Sequence, residues 1–194
     1  MKEAYNAFGY NKANYVPLTP ISFLHRTAEI YGEREAIIYG DKRYNWKQCR
    51  ERCIRIASSL VKSGIGLGDT VAVLAFNTPE MFESHFAVPM TGAVLNTINT
   101  RLDADTVAYI LEFGNAKALI VDRELFPLAE KALAQIELKP VLILIDDETA
   151  EVKPSVDQDV IDYEDLVNSG DPDFSPPQLE DEWQALALNF TSGT

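Results

Sequence analysis

Thr70-Val71-Ala72-Val73-Leu74-Ala75 is an uncharged run with no polar face. A strand built from it is buried on both sides, which is the situation of a central strand in a parallel sheet. Thr78-Pro79-Glu80 follows as an N-cap, a first-turn proline and a first-turn acid, so the chain turns to helix at once. The alternation then repeats. A second apolar strand is predicted over 93–98, with a helix capped near Asp103 and running through Tyr109-Ile110-Leu111 to Gly114. Ala118-Leu119-Ile120-Val121 gives a third strand, 124–136 a helix and 140–145 a fourth strand. The predicted fold class is α/β, a mostly parallel sheet flanked by helices and joined by right-handed crossovers. Pro89 is the local misfit, because proline should kink or end the helix after the first strand.

Upstream of that run the chain prepares a helical layer. Residues 1–18 read as an arm with scattered aromatics, and Thr19-Pro20 opens a helix with Ile21, Leu24, Ala28 and Tyr31 on one stripe. Ala36-Ile37-Ile38-Tyr39, the turn Gly40-Asp41-Lys42 and Arg43-Tyr44 suggest a small hairpin. Asn45 with Gln48 three residues later makes a capping box for a helix closed by Gly64. Cys49 and Cys53 fall on its apolar face and are expected to pack as free, buried thiols. Gly64-Ile65-Gly66-Leu67-Gly68 is not a dinucleotide fingerprint, since it closes a helix and precedes a strand.

Downstream, 146–184 breaks the rhythm. The formal charge of −13 is concentrated there: 14 acids stand against Lys153, leaving 16 acids and 16 bases elsewhere. Prolines 154, 172, 176 and 177 punctuate it, and Tyr163 to Val167 suggest one short helix. It reads as an acidic surface connection. With no basic stripe, nucleic acid is not an expected partner. No apolar run approaches the ~20 residues of a membrane helix. Met1-Lys2-Glu3-Ala4-Tyr5-Asn6 lacks the apolar core of a secretory signal, so a cytoplasmic location is expected, with any C-terminal address such as a peroxisomal one lying further on. His25 and His85 each border an apolar stripe and form no acid–base pair in the sequence. Asn189-Phe190-Thr191 matches a glycosylation sequon, but it falls where an apolar strand meets a loop.

That strand is Ala185-Leu186-Ala187-Leu188-Asn189-Phe190, and it leads into Thr191-Ser192-Gly193-Thr194. A strand followed by a Gly/Ser/Thr turn aims backbone N–H groups and hydroxyls at a phosphate. The turn is not of the Walker type, because no Gly-x-x-x-x-Gly-Lys is present.

Three stretches together resemble the large N-terminal domain of the adenylate-forming (AMP-binding) superfamily. They are Tyr44-Asn45-Trp46 through Gly68-Asp69-Thr70-Val71-Ala72; Gly92-Ala93-Val94-Leu95-Asn96-Thr97-Ile98-Asn99-Thr100-Arg101-Leu102 with Tyr109-Ile110-Leu111 and Ala116-Lys117-Ala118-Leu119-Ile120; and Leu188-Asn189-Phe190-Thr191-Ser192-Gly193-Thr194. The stretch from Gly92 to Asp103 most resembles the acyl-CoA synthetase branch. The resemblance implies that residues 1–194 are a partial AMP-binding domain, about the first third of an enzyme that joins a small carboxylic acid to coenzyme A through an acyl-adenylate. It implies ATP, Mg²⁺ and coenzyme A as cofactors, and it implies that Thr191, Ser192, Gly193 and Thr194 contact the ATP phosphates. The family's loop continues through Thr-Gly-x-Pro-Lys-Gly, so these 194 residues alone are expected to be inactive. The strand at 185–190 is expected to be exposed or poorly packed. Arg101 is conspicuous, with a structural role in its turn equally open. Two other readings stay open: another adenylate-forming ligase, such as an aryl-CoA ligase or a peptide-synthetase adenylation unit, and a short non-catalytic chain that binds a partner.

Overall fold

The run at 70–75 becomes the second strand of a five-stranded parallel sheet. The computed structural model describes residues 13, 15–178 and 181–191. Among them β1 (Glu35–Tyr39) and β2 (Lys42–Asn45) form an antiparallel hairpin. The larger sheet contains β3 (Thr70–Leu74), β4 (Val94–Thr97), β5 (Ala116–Asp122), β6 (Val141–Ile145) and β7 (Ile161–Asp162), in the order β4-β3-β5-β6-β7. Every neighbouring pair in it is parallel. The α-helices are α1 (Pro20–Tyr31), α2 (Trp46–Lys62), α3 (Pro79–Ala87), α4 (Ala104–Phe113), α5 (Phe126–Leu133) and α6 (Tyr163–Ser169).

Side chains along β3 divide between two cores, as alternation on a strand requires. Val71 and Val73 join the layer made with α1, α2, α3 and α6; Ala72 and Leu74 join the layer made with α4 and α5. Each buried Val or Leu contributes about 1.5–3 kcal/mol relative to exposure, which is why the uncharged run takes the interior. The connection from β3 to β4 goes by α3 on the first face, and that from β4 back across to β5 goes by α4 on the second. The chain therefore reverses its winding direction between β3 and β5.

Local signals decide where the helices begin and end. Asn45 Oδ1 accepts from Gln48 N at 2.8 Å while Gln48 Oε1 accepts from Asn45 N at 2.9 Å, the reciprocal capping box. At the other end of α2, Ile65 N donates to Leu60 O and Gly64 N to Val61 O, with Gly64 at φ +84°. That is a Schellman stop, so the glycine-rich stretch is a helix terminus and turn. Pro89 ends α3 as expected and opens a 3₁₀ turn over Pro89–Thr91.

Several boundaries differ from the sequence reading. The helix expected over 124–136 is a 3₁₀ turn, Arg123–Leu125, followed by α5, because Pro127 lacks an N–H and must sit in a first turn. The acidic stretch 146–184 is not surface throughout. It contributes β7 and α6, with Tyr163, Leu166 and Val167 buried. A two-residue strand amid acids carries too little periodicity to be read from sequence. Finally, 185–190 is not a regular strand. It meets β4 through one parallel bridge, Leu95 to Ala187, with Leu95 N donating to Leu186 O (3.0 Å) and Leu188 N to Leu95 O (2.9 Å).

Candidate functional site

Because all five strands run the same way, their carboxyl ends share one edge of the sheet. Ligands of open α/β sheets bind outside that edge, commonly where the winding reverses. Thr191 leaves on the same edge, beside the end of β4, since 185–188 runs parallel to it. Of the predicted phosphate contacts, Thr191 is exposed; Ser192, Gly193 and Thr194 lie outside the described residues. Thr191 follows an extended segment bridged to β4.

The other groups on this edge differ sharply in charge from end to end. After β4, Asn99 Oδ1 accepts from Arg101 N at 3.0 Å, and Leu102 N donates to Asn99 O. Arg101's backbone is thus structural in this turn while its side chain is exposed. Asp103 caps α4 by accepting from Thr106 N at 2.8 Å, and that bond holds its carboxyl below the usual range. Thr78 after β3 is used the same way, as the buried cap of α3. At the reversal point between β3 and β5 stands Asp122, which is 1% exposed. Its Oδ1 accepts from Glu124 N at 3.0 Å, but its Oδ2 has no partner among the described residues. Burial pushes this carboxyl up to about 6; the Glu124 N–H opposes the shift, and the Asp147, Glu124 and Glu80 carboxylates add to it. Sequence reading missed Asp122, although an acid closing the apolar strand Ala116–Asp122 was a visible signal.

Asp147, after β6, is latched to the hairpin. Tyr39 Oη donates to its Oδ2 at 2.6 Å, and Thr149 N donates to its Oδ1 at 2.9 Å. Glu80 is buried and lies 3.6 Å from Lys42 Nζ. Arg123, next to Asp122, is paired with Asp146 at 3.1 Å. The β5–β6 end of the edge is therefore acidic and repels a polyanion. Three strand spacings, roughly 14 Å, separate β5 from the segment carrying Thr191. Thr191 and Arg101 stand at the β4 end, away from these acids.

The remaining candidates settle as structural. Cys49 and Cys53 are fully buried free thiols, with Cys53 Sγ 3.7 Å from Glu83 O. His85 is exposed on α3, with Nδ1 2.8 Å from Met81 O in its own helix. His25 is half-buried on α1, and burial, with Arg50 nearby, holds its ring below the usual value. The two histidines lie on different helices. Arg52 bridges Glu83 and Glu164, and its guanidinium lies 4.7 Å from the centre of the Tyr44 ring. Among the described residues no group of three metal-ligating side chains exists, and no helix is long and apolar enough to cross a membrane.

Comparison with known proteins places this geometry in context. Residues 24–194 match the family model described as AMP-binding enzyme. The chain is 44% identical over 194 residues to an acetate–CoA ligase from Humulus lupulus, covering 95% of this chain and 34% of that protein. It is 47% identical over 196 residues to a peroxisomal trans-cinnamate:CoA ligase from Petunia hybrida, covering 94% and 34%. The chain thus spans about a third of the length of the curated relatives it matches. Among solved structures, an anthranilate CoA ligase in complex with anthranoyl-AMP superposes with a TM-score of 0.82 at 22% identity, over 93% of this chain and 33% of that one. At that identity the likeness shows the fold.

Proposed function

The chain belongs to the AMP-binding enzyme family, and from that premise we propose that it is the N-terminal third of an ATP-dependent acid–thiol ligase of the acyl-CoA synthetase branch. The reaction joins a small carboxylic acid to coenzyme A. ATP, when bound, supplies the adenylyl group that turns a poor carboxylate electrophile into an acyl-adenylate with AMP as leaving group.

The observation that carries this reading is the position of Thr191 at the carboxyl edge, at the end of a segment in register with β4. Thr191, Ser192 and Thr194 would donate hydroxyl protons to phosphate oxygens, and Gly193 would let the backbone N–H groups approach closely. The acidic β5–β6 end repels the triphosphate and so orients it along the edge. The described residues hold no group of three metal-ligating side chains for magnesium, and neither magnesium nor coenzyme A is assigned a contact in this chain. We take residues 1–194 as part of one AMP-binding domain, with 146–184 an acidic connection inside it. The names of several relatives, among them an acetate/butyrate–CoA ligase and a butyrate–CoA ligase of Arabidopsis thaliana, include "peroxisomal". They support a peroxisomal location over the cytoplasmic one expected from the sequence; fluorescent fusions of the whole protein distinguish the two.

The test is isotope exchange between ATP and pyrophosphate in the protein carried to the length of its relatives, with acetate, butyrate and cinnamate as trial acids. Acid-dependent exchange is expected, and Ser192→Ala is expected to reduce it by about 10²-fold, the loss typical of one preorganised donor. Undiminished exchange in Ser192→Ala contradicts the assignment of the loop.

A further inference from the structure

The segment before Thr191 is tied to the sheet by two backbone hydrogen bonds, and both end at or before Leu188. Beyond Leu188 no backbone hydrogen bond among the described residues fixes the chain's direction. The side chains do. Phe190 is half-buried and stands edge-on to two rings of α4: Tyr109 at 6.2 Å and 80°, and Phe113 at 5.6 Å and 81°. Tyr109 and Phe113 are one helical turn apart and contact each other at 5.7 Å. They are also 57% and 64% exposed, so they do little to fill the core. Two large aromatics on an outward helix face, both meeting one ring, make a specific contact.

We propose that Tyr109, Phe113 and Phe190 form a ring brace that sets the direction in which the chain leaves the sheet at Thr191, making all three positioning residues for the phosphate loop. The proposal rests on reading 191–194 as that loop. The brace couples α4, held at its start by the Asp103 cap, to a segment that the sheet holds loosely. None of the three rings touches nucleotide in this account; they act through the backbone of Thr191.

Hydrogen exchange of the Leu188 amide, the last one of the segment bonded to the sheet (to Leu95 O, 2.9 Å), tests the brace in the 194-residue chain. Phe113→Ala is expected to speed it about tenfold by releasing local opening, and Phe113→Tyr, which keeps a ring edge, to restore it. Leu128→Ala on α5, which packs against the same core, weakens the fold generally and is expected to leave that amide unchanged relative to β3. Unchanged exchange in Phe113→Ala, or an equal acceleration in Leu128→Ala, overturns the proposal. In the protein at its relatives' length, Phe113→Ala is expected to raise KM for ATP several-fold and leave KM for the acid unmoved. Faster exchange with an unmoved ATP KM overturns the phosphate role and leaves the brace as a purely structural contact.

Discussion

Asp122 shows what a single residue adds to this account. A carboxyl group that is buried, bonded through one oxygen and flanked by other carboxylates costs stability whenever it is ionised. Its folded-state value of about 6 lies above the unfolded value of 3.8. The folded state therefore holds its proton more tightly, and the stability this confers at low pH is lost as pH rises through about 6. Asp122→Asn removes that loss. The melting temperature of the variant should exceed that of the parent by a few degrees at pH 7–8, with the gap closing toward pH 4; calorimetry across that range checks it, and a pH-independent difference contradicts it. Gly170 gives a steric prediction. A Cβ there would run into the backbone of Arg55 on α2, so Gly170→Ala should cost about 1–3 kcal/mol in urea unfolding. The acid at the end of an apolar strand was visible in the sequence, but its orphaned oxygen and the Gly170 contact were not, because both depend on which distant groups are brought alongside.

Helices and strands were far more legible. The caps at Asn45, Thr78 and Asp103 and the stop at Gly64 were readable because each is a local bargain between a side chain and the nearest unpaired backbone groups. The uncharged runs of β3 and β5 were readable because burial on both faces excludes polar residues. Long-range ties were not. Arg52 donates to Glu83 at 2.5 Å and to Glu164 at 2.6 Å, joining α2, α3 and α6, yet nothing in the spacing of residues 52, 83 and 164 announces it. Burial lowers the tendency of Arg52 to stay charged, but its bonds to the two carboxylates outweigh that and hold the charge firmly. Burial drives Glu83 up to about 7 against that pairing. Removing the cation leaves Glu83 buried and unpaired, so Arg52→Ala should lose about 3–5 kcal/mol. A loss below 1 kcal/mol in denaturant unfolding would mean the network does not tie the layers together. The segment 185–191 stands at the other extreme of order: two hydrogen bonds and a ring contact should leave its amides exchanging orders of magnitude faster than those of β3.

For the molecule as a whole, the parallel sheet puts every strand's carboxyl end on one edge, and charge divides that edge. Asp122, Asp146 and Asp147 gather after β5 and β6, while Thr191 and Arg101 stand after the segment beside β4 and after β4 itself, where Asp103 is taken up in capping α4. The sequence reading proposed the loop and stated the family resemblance but could not see this division, which arises from strand order and not chain order. The net charge of −13 is accordingly no guide to the substrate: all of it lies in 146–184, where α6 serves the fold by burying Tyr163, Leu166 and Val167. The central claim is that this edge presents the phosphate loop of a carboxylic acid–thiol ligase. The most direct measurement is acid-dependent exchange of labelled pyrophosphate into ATP, run side by side on these 194 residues and on the protein at its relatives' length. The account predicts exchange in the longer form that requires a carboxylic acid, and none in the 194-residue chain. Exchange by the short chain, or none by the long form with any acid of a broad aliphatic and aromatic panel, would contradict it.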